Sequence, residues 1–392
     1  MKYIDEFRNG ELAKGLSARI HDAARTDKTY RFMEFCGGHT HAIARYGLTD
    51  LLPRNVEMIH GPGCPVCVLP IGRIDQAIEL AMHNDVMLCT YGDVMRVPAS
   101  HRRSLLSAKS KGADIRMVYS AEDALALARN HPDKEVVFLA IGFETTTPPT
   151  ALVIRQARNE SLQNFSVLCN HVLTPSAITH IVNMANTNLP DSTPEKNSQL
   201  DGFVGPSHVS IVIGYAPYEV FARTYNKPVV ISGFEPLDVL LSILLLIQQV
   251  NDGRAEVENQ FSRAVNLTGN RIAQDMLHKV FELRDNFEWR GLGHIPHSAW
   301  QIRAEYADFD AERRFQLGYT SVADHRRCDC AAILQGQKRP TDCTLFAKVC
   351  TPENPMGSCM VSSEGACAAH YTYGRFRDVA IVASSNKPEA VA

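Results

Sequence analysis

The alternation of short β-rich runs with helical patterns between residues 30 and 235 restricts the fold more than any other feature of the sequence. Helical periodicity is clear at 71–83 and 121–130. The predicted strands are 30–35, 56–60, 86–90, 115–119, 136–141, 166–169, 208–213 and 229–232. Such alternation is typical of βαβ units, in which the strands are parallel. We therefore predict an α/β fold with two Rossmann-like parallel-sheet domains.

Length and pattern predict how the chain divides. At 392 residues it is too long for one hydrophobic core of ordinary size. After residue 236 the pattern becomes helical, and beyond Cys328 it is irregular; the helices are predicted at 237–250, 256–266 and 271–283. A stretch rich in Pro, Ser and charge, 188–199, is expected to be an exposed loop. The predicted parts are an N-terminal helical segment (1–28), two Rossmann-like domains (29–118 and 119–235) and a helical and irregular domain (236–392) that carries the C-terminal cysteines.

Charge and hydropathy exclude two classes of partner. The formal net charge of −3 gives no broad basic surface for nucleic acid. The longest apolar run, 239–247, is about half of the roughly 20 residues that span a bilayer. The polar start of the chain lacks the apolar core of a secretion signal, so a reducing cytoplasm is expected. The eleven cysteines, an odd number, are then better explained by metal binding, redox chemistry or burial than by disulfides.

Six of these cysteines crowd the C-terminal part of the chain, from Cys328 to Cys367. The four candidate ligands of a 4Fe-4S cluster are Cys330, Cys343, Cys350 and Cys367, separated by twelve, six and sixteen residues. Zinc is the competing metal, although structural zinc sites usually show tight Cys-x2-Cys pairs at both ends. Cys328 and Cys359 are surplus. They could be alternative ligands, neighbours of the cluster or a redox pair.

Three polar motifs follow predicted strands, where the carboxyl ends of parallel strands form a ligand crevice. In GPGCPVC, Cys64 and Cys67 precede a helix whose dipole can lower a thiol pKa, so they could form a reversible disulfide or bind a soft metal. The alternative is a small-residue turn with two buried thiols. In CGGHTH, Cys36 is a candidate thiolate, and His39 and His41 could act as base, proton shuttle or ligand.

The third motif, GFETTTPP, lacks both a phosphate loop and a G-x-G-x-x-G fingerprint, so it supports phosphate binding only weakly. Its Glu144 and threonines could bind a group or partner, or the threonines could cap a helix before Pro148. We expect Asp93 and His208 to be structural. Cys89 and Cys169 lie in apolar strands and are most simply core residues.

Taken together, these motifs resemble the HypD family of hydrogenase maturation factors. The match rests on FCGGHTH (35–41), GPGCPVC (61–67), GFETTTPP (142–149) and the tail CTPENPMGSCMVSSEGACAAHY (350–371), and it extends over nearly the whole chain. The resemblance implies a cytoplasmic scaffold with two Rossmann-like domains and a 4Fe-4S domain. On this scaffold the iron of nickel-iron hydrogenases receives its cyanide and carbon monoxide ligands.

The resemblance also implies residue roles and partners. Cys36 would be the main iron ligand, Cys64 and Cys67 the thiol pair, and the four tail cysteines named above the cluster ligands. The implied partners are the small chaperone HypC, which shares the iron, and HypE, which delivers cyanide. We hypothesise that electrons pass from the cluster through the thiol pair to the iron at Cys36. The rival interpretations are an iron-sulfur thiol-disulfide oxidoreductase acting on proteins and an adaptor whose metal is purely structural.

Overall fold

The structure is a computed structural model that describes residues 4–186 and 200–374, so the predicted loop at 188–199 lies outside the described residues. It confirms an α/β fold with parallel-sheet cores. The strands are β1 (Tyr30–Glu34), β2 (Val56–His60), β3 (Val86–Thr90), β4 (Ile115–Met117), β5 (Glu135–Gly142), β6 (Phe165–His171), β7 (Gly202–Pro206), β8 (Val229–Ser232), β9 (Val257–Asn259), β10 (Phe281–Leu283), β11 (Asn286–Trp289), β12 (Gly293–Pro296) and β13 (Trp300–Ile302).

Two parallel sheets organise the molecule. The first has the strand order β2-β1-β7-β8-β9, and the second has the order β4-β3-β5-β6. Both are buried on two faces, as the uninterrupted burial of β3, β6 and β8 shows. Two short antiparallel pairs, β10 with β13 and β11 with β12, follow the sheets in the chain.

Two separate segments of the chain contribute strands to the first sheet. The chain leaves this sheet after β2, builds the whole second sheet and returns at β7. The predicted boundaries at 118/119 and 235/236 therefore do not coincide with the division between the sheets. The edge strand β9, which lies after residue 236, pairs with β8 of the first sheet.

Helices connect and cover the strands. They are α1 (Gly10–Ala23), α2 (Gly37–Tyr46), α3 (Pro65–Val68), α4 (Ile71–Ala81), α5 (Leu105–Lys109), α6 (Ala121–Asn130), α7 (Thr147–Asn159), α8 (Thr174–Asn186), α9 (Ser207–Ile213), α10 (Ala216–Tyr225), α11 (Pro236–Asn251), α12 (Arg271–Val280), α13 (Ala311–Arg314), α14 (Cys330–Leu334) and α15 (Ala366–Ala369). Shorter 3-10 turns occur at Asp5–Arg8, Leu48–Leu51, Gly92–Arg96, Ser100–Arg102, Ala304–Phe309, Pro340–Asp342 and Ser358–Met360, and a π-turn at His370–Gly374. Within residues 4–186 and 200–374, none of the helices combines the length and the hydropathy that a membrane span needs.

The strand predicted at 208–213 is wrong, since these residues belong to α9. The β-branched run HVSIVI suggests a strand, but Val209 and Val212 are buried at helical spacing. The strand of this region is β7, which lies just before α9. It was not predicted because Gly202 and Gly205 are poor strand formers. Gly205 is needed there, because a Cβ at this position would lie 2.7 Å from the Ile231 side chain.

Two helix predictions also change. The segment 256–266 forms edge strand β9 and turns rather than a helix. The helix predicted at 271–283 ends at Val280, and the next three residues form β10 against β13. In both places pairing with a neighbouring strand outweighs local propensity.

The C-terminal cysteines share a hydrophobic core with the sheets. One continuous cluster of buried side chains includes Met33 from β1, Leu88 from β3 and Trp289 from β11, together with Cys330 and Cys367. The tail is therefore packed onto the α/β body. This packing brings the tail to the loops that leave β1 and β2.

Candidate functional site

The CGGHTH and GPGCPVC loops meet at the carboxyl ends of the neighbouring strands β1 and β2. The Gly37 N–H donates to the Gly63 carbonyl at 3.0 Å. A Cβ on Gly63 would lie 2.2 Å from the backbone nitrogen of Cys36, so only glycine allows this approach. The tail joins the same point, because a Cβ on Gly37 would lie 2.3 Å from Cβ of Glu364.

Cys36 is the N-cap residue of α2. Its Sγ accepts from the Gly38 N–H at 3.4 Å and lies 3.4 Å from Nδ1 of His208. Burial raises the pKa of Cys36 well above its usual value, and the nearby Glu364 carboxyl acts in the same direction. Without a bound cation, this sulfur is therefore a neutral thiol. A cation beside it would be needed to stabilise the thiolate.

The two histidines of CGGHTH face other groups. His39 is buried, and its Nε2 lies 3.1 Å from the Ser232 carbonyl oxygen and 3.0 Å from that of Gly233. Burial lowers the pKa of His39. His41 contacts the tail, with Nδ1 3.4 Å from the Ser363 carbonyl oxygen. The imidazole that contacts Cys36 is therefore His208, which sequence reasoning had treated as structural.

A buried carboxyl group holds the Cys36 loop in place. Glu34, the last residue of β1, accepts from the Cys36 N–H at 2.8 Å and from the Thr40 hydroxyl. Its Oε1 also lies 2.8 Å from Nδ1 of His60 at the end of β2. Sequence reasoning missed Glu34 and His60. The available signal was a carboxyl group in a predicted strand, two residues before Cys36, because a buried carboxyl group needs hydrogen-bonding partners.

Cys64 and Cys67 lie at the two ends of the first turn of α3. The Cys67 N–H donates to the Cys64 sulfur at 3.3 Å, which makes Cys64 the N-cap. Burial raises the pKa of Cys67 well above its usual value, so the lowering expected from a helix N-terminus is outweighed at this thiol. The pair is geometrically close but shielded from solvent.

The tail reaches this pair through Ser358 and Cys359. The Ser358 hydroxyl donates to the Cys67 carbonyl at 2.7 Å. The neighbouring thiols of Cys330 and Cys67 lower the pKa of Cys359. Cys359, which is surplus to the ligand set inferred from spacing, thus lies between the Cys64/Cys67 pair and the tail cysteines.

The remaining tail cysteines gather around Cys330. Its thiol lies beside those of Cys328 and Cys367, and this proximity, together with burial, raises the pKa of both. Gly357 lies against the same place, since a Cβ there would be 2.5 Å from the sulfurs of both Cys328 and Cys330. The Met356 N–H donates to the Cys350 sulfur at 3.3 Å.

This donor set fits an iron-sulfur cluster chemically. Several thiols, including Cys343, lie buried together, and a backbone N–H points at the Cys350 sulfur, as is usual around clusters. Among the described residues, no three His, Cys, Asp or Glu side chains are arranged to hold one metal ion. A cubane differs from that case, because each thiolate binds a different iron and the four sulfurs surround the cluster instead of converging on a point.

The GFETTTPP loop follows β5 and buries its acid. Glu144 accepts from the N–H of Thr174 at 2.8 Å and from its hydroxyl at 3.0 Å. Burial raises the pKa of Glu144 to about 7. Thr146 stands at the N-cap of α7 without a side-chain capping bond, so the capping alternative is not what the loop shows. Glu144 instead connects the loop before α7 to Thr174, the first residue of α8.

Comparison with known proteins identifies the family of this chain. The HypD family model, described as the hydrogenase formation hypA family, matches residues 11–374. The chain is 66% identical over 384 residues to the hydrogenase maturation factor HypD of Cupriavidus necator, covering 98% of this chain and 100% of the relative. It is 44% identical over 378 residues to hydrogenase maturation factor HypD of Escherichia coli, covering 95% of this chain and 98% of the relative. The chain therefore belongs to the HypD family of hydrogenase maturation factors.

Proposed function

We propose that the chain is the scaffold and redox factor on which the Fe(CN)2CO group of nickel-iron hydrogenases is assembled. One observation supports this most directly: the Cys36 loop, the Cys64/Cys67 loop and the cysteine tail meet at one edge of the first sheet. Cys36 binds the iron as cargo. A separate thiol pair lies beside it, as reductive ligand transfer requires.

The surroundings of Cys36 suit low-spin iron. A thiolate is a soft, electron-rich ligand, and His208 lies 3.4 Å from its sulfur. Cys36 is only 3% exposed, which shields bound iron from oxygen. Glu34 fixes the loop through the Cys36 N–H, so the sulfur is held before the iron arrives. Cys64 and Cys67 complete the set of thiols around this loop.

The tail is proposed to hold a 4Fe-4S cluster. When bound, such a cluster supplies single electrons. The set inferred from spacing is Cys330, Cys343, Cys350 and Cys367. Because Cys330 also pairs with Cys359, the proposal adopts Cys328 as the fourth ligand in place of Cys330. Cys330 and Cys359 then form a second dithiol, between the ligands and Cys67.

Two dithiols in contact can exchange a disulfide. The Cys359 thiolate attacks a Cys64–Cys67 disulfide at Cys67, Cys64 leaves as a thiolate and takes a proton, and Cys330 then displaces Cys67. One disulfide is reduced while another forms, so electrons and protons balance. The product is a reduced Cys64/Cys67 pair beside Cys36. That pair stores the two electrons that ligand transfer consumes.

This function requires partner proteins and a reducing compartment. HypC would share the iron bound at Cys36, and HypE would deliver cyanide to it. A chain with eleven cysteines and no required disulfide staple suits the reducing cytoplasm. Neither nucleic acid nor a membrane is needed for this function. Maturation proteins are the expected partners of a factor of this family.

Infrared spectroscopy tests the proposal. Protein purified without oxygen, together with HypC and HypE, should show cyanide and carbonyl stretching bands. Cys36→Ala should abolish them, whereas Cys89→Ala, which removes a buried core thiol of β3, should keep them. Bands that persist in Cys36→Ala, or are absent from a competent wild-type complex, would refute the assignment.

A thiol-disulfide oxidoreductase is the second candidate, and the contact between Cys67 and Cys359 favours it. It uses both dithiols but gives Cys36 no task. Reduction of a disulfide-bonded test protein at equal rates by wild-type and Cys36→Ala protein, with no infrared bands in either, would select this candidate.

A further inference from the structure

A large basic cavity lies beside the cysteine tail, outside the site described above. Its volume is about 610 Å³, and its walls come from the loop after β3, the 3-10 turn Ser100–Arg102 and the tail around Met356. Four arginines line it: Arg96, Arg102, Arg103 and Arg290. A cavity of this character has no part in the binding of iron at Cys36.

Two of the four arginines bind carboxylates, and the other two donate to uncharged groups. Arg290 binds Asp324 at 2.6 Å, and Arg103 binds Asp75 at 2.9 Å. Arg102, in contrast, donates to the uncharged Asn354 side chain at 2.8 Å, and Arg96 donates to backbone carbonyls.

The exposed Glu353 is the remaining acid in the lining. The cavity therefore keeps a net positive charge on a chain whose formal charge is −3.

The backbone at the rim is held in an unfavourable conformation. His101 and Arg102 have φ values of 56° and 59°, in the left-handed region that side chains other than glycine rarely adopt. Two such residues in succession cost free energy, and strain of this kind concentrates at functional sites. Here it places the exposed Arg102 guanidinium against the tail, at Asn354.

The floor of the cavity adjoins the tail thiols. Met356 lines the cavity and donates its N–H to the Cys350 sulfur at 3.3 Å. The next residue, Gly357, packs against the sulfurs of Cys328 and Cys330. Arg96 binds the carbonyls of Pro352 and Val361, each at 3.2 Å, on either side of this stretch. The basic surface therefore lies directly over the thiols proposed to take up electrons.

We propose that this surface docks an acidic one-electron donor protein of the ferredoxin class. The inference rests on the proposed function, which consumes electrons but names no source. Two reduced donor molecules each lose one electron, and one disulfide of the chain gains two electrons and two protons to become two thiols. Donor complexes of this kind are small, weak and steered by opposite charge, which a rim of exposed arginines provides.

Binding of an acidic plant-type 2Fe-2S ferredoxin to the full chain is the direct test. Titration calorimetry should show binding that weakens as ionic strength rises. Arg102→Glu should weaken it by about tenfold and Arg102→Gln by less. Arg19→Glu, which reverses an exposed charge on α1, should leave it unchanged. Absence of wild-type binding, or equal affinities for wild type and all variants, would overturn the proposal.

A second readout separates this proposal from the proposed function. Reduced ferredoxin should generate free thiols in oxidised wild-type protein, counted by alkylation and mass spectrometry, and more slowly in Arg102→Glu. If Arg102→Glu behaves as wild type while Cys36→Ala still loses the infrared bands, only the docking proposal fails. If the bands never form but ferredoxin binding depends on Arg102, only the assembly proposal fails.

Discussion

Nδ1 of His208 lies 3.4 Å from the sulfur of Cys36, although 172 positions separate the two residues in the chain. Burial lowers the pKa of His208 to about 4, so its imidazole is neutral at pH 7. A neutral imidazole can orient the sulfur without repelling a bound cation. Under the proposed function, His208 would therefore position the Cys36 sulfur for iron.

We expect His208→Ala to weaken iron binding by about tenfold or more, the usual effect of removing a group that orients a metal ligand. His208→Asn should retain part of the affinity, because its amide can still reach the sulfur. His83→Ala removes an exposed imidazole at the end of α4 and serves as control. Anaerobic iron titration measures all three variants. Equal iron affinity in His208→Ala and wild type would contradict this role.

Gly63→Ala should disrupt the Cys36 loop. The new methyl group would lie 2.2 Å from the Cys36 nitrogen and 2.5 Å from its Cα, so the loop must move, at a cost of about 1–3 kcal/mol. Gly15→Ala is the matched control, because no atom lies within 4 Å of its Cβ position. Inside helix α1 it should stabilise the protein by about 0.5–1 kcal/mol. Urea unfolding and iron binding measure both effects; an unperturbed Gly63→Ala would show that the contact is not tight.

The sequence predicts the loops of this site better than their partners. Cys36 and Cys64 follow parallel strands, and such strand ends meet at one edge of a sheet by topology alone. His208 could not be predicted, because its β-branched neighbours favour a strand and the glycines of the true strand β7 conceal it. In β7, the close packing of Gly205 against Ile231 of β8 outweighs the poor strand propensity of glycine.

The role of Cys359 likewise depends on tertiary structure. Spacing within the tail cannot show that Ser358 will bind Cys67, which lies 291 positions earlier in the chain. The same limit applies to the sheets. Alternation predicts parallel strands, but it does not show that the chain returns to its first sheet at β7.

The cluster ligands can be assigned by comparing Cys328→Ser with Cys330→Ser. If Cys328 is the fourth ligand, Cys328→Ser should lose most of its iron and acid-labile sulfide, and Cys330→Ser should retain both. Cys330→Ser should instead fail to reduce the Cys64–Cys67 disulfide, as shown by alkylation and mass spectrometry. The reverse pattern would restore the set inferred from spacing. Cys169→Ala, a buried core thiol of β6, is the control.

Glu144→Gln should change how stability depends on pH. Burial raises the pKa of Glu144 from its usual 4.5 to about 7, so between these values the folded state binds more protons than the unfolded state. Its contribution to stability is therefore greatest below the unfolded pKa and is lost as pH rises through about 7. Such a shift corresponds to about 3 kcal/mol. Glutamine keeps the shape, accepts from the Thr174 N–H and does not ionise. The variant should thus gain about 2 kcal/mol over wild type between about pH 5 and pH 8 in urea unfolding. Glu11→Gln, on the exposed surface of α1, should show no such gain. Parallel pH profiles for wild type and Glu144→Gln would contradict the prediction. They would mean that the Glu144 carboxyl is ionised in the folded protein over the whole range from about pH 5 to pH 8.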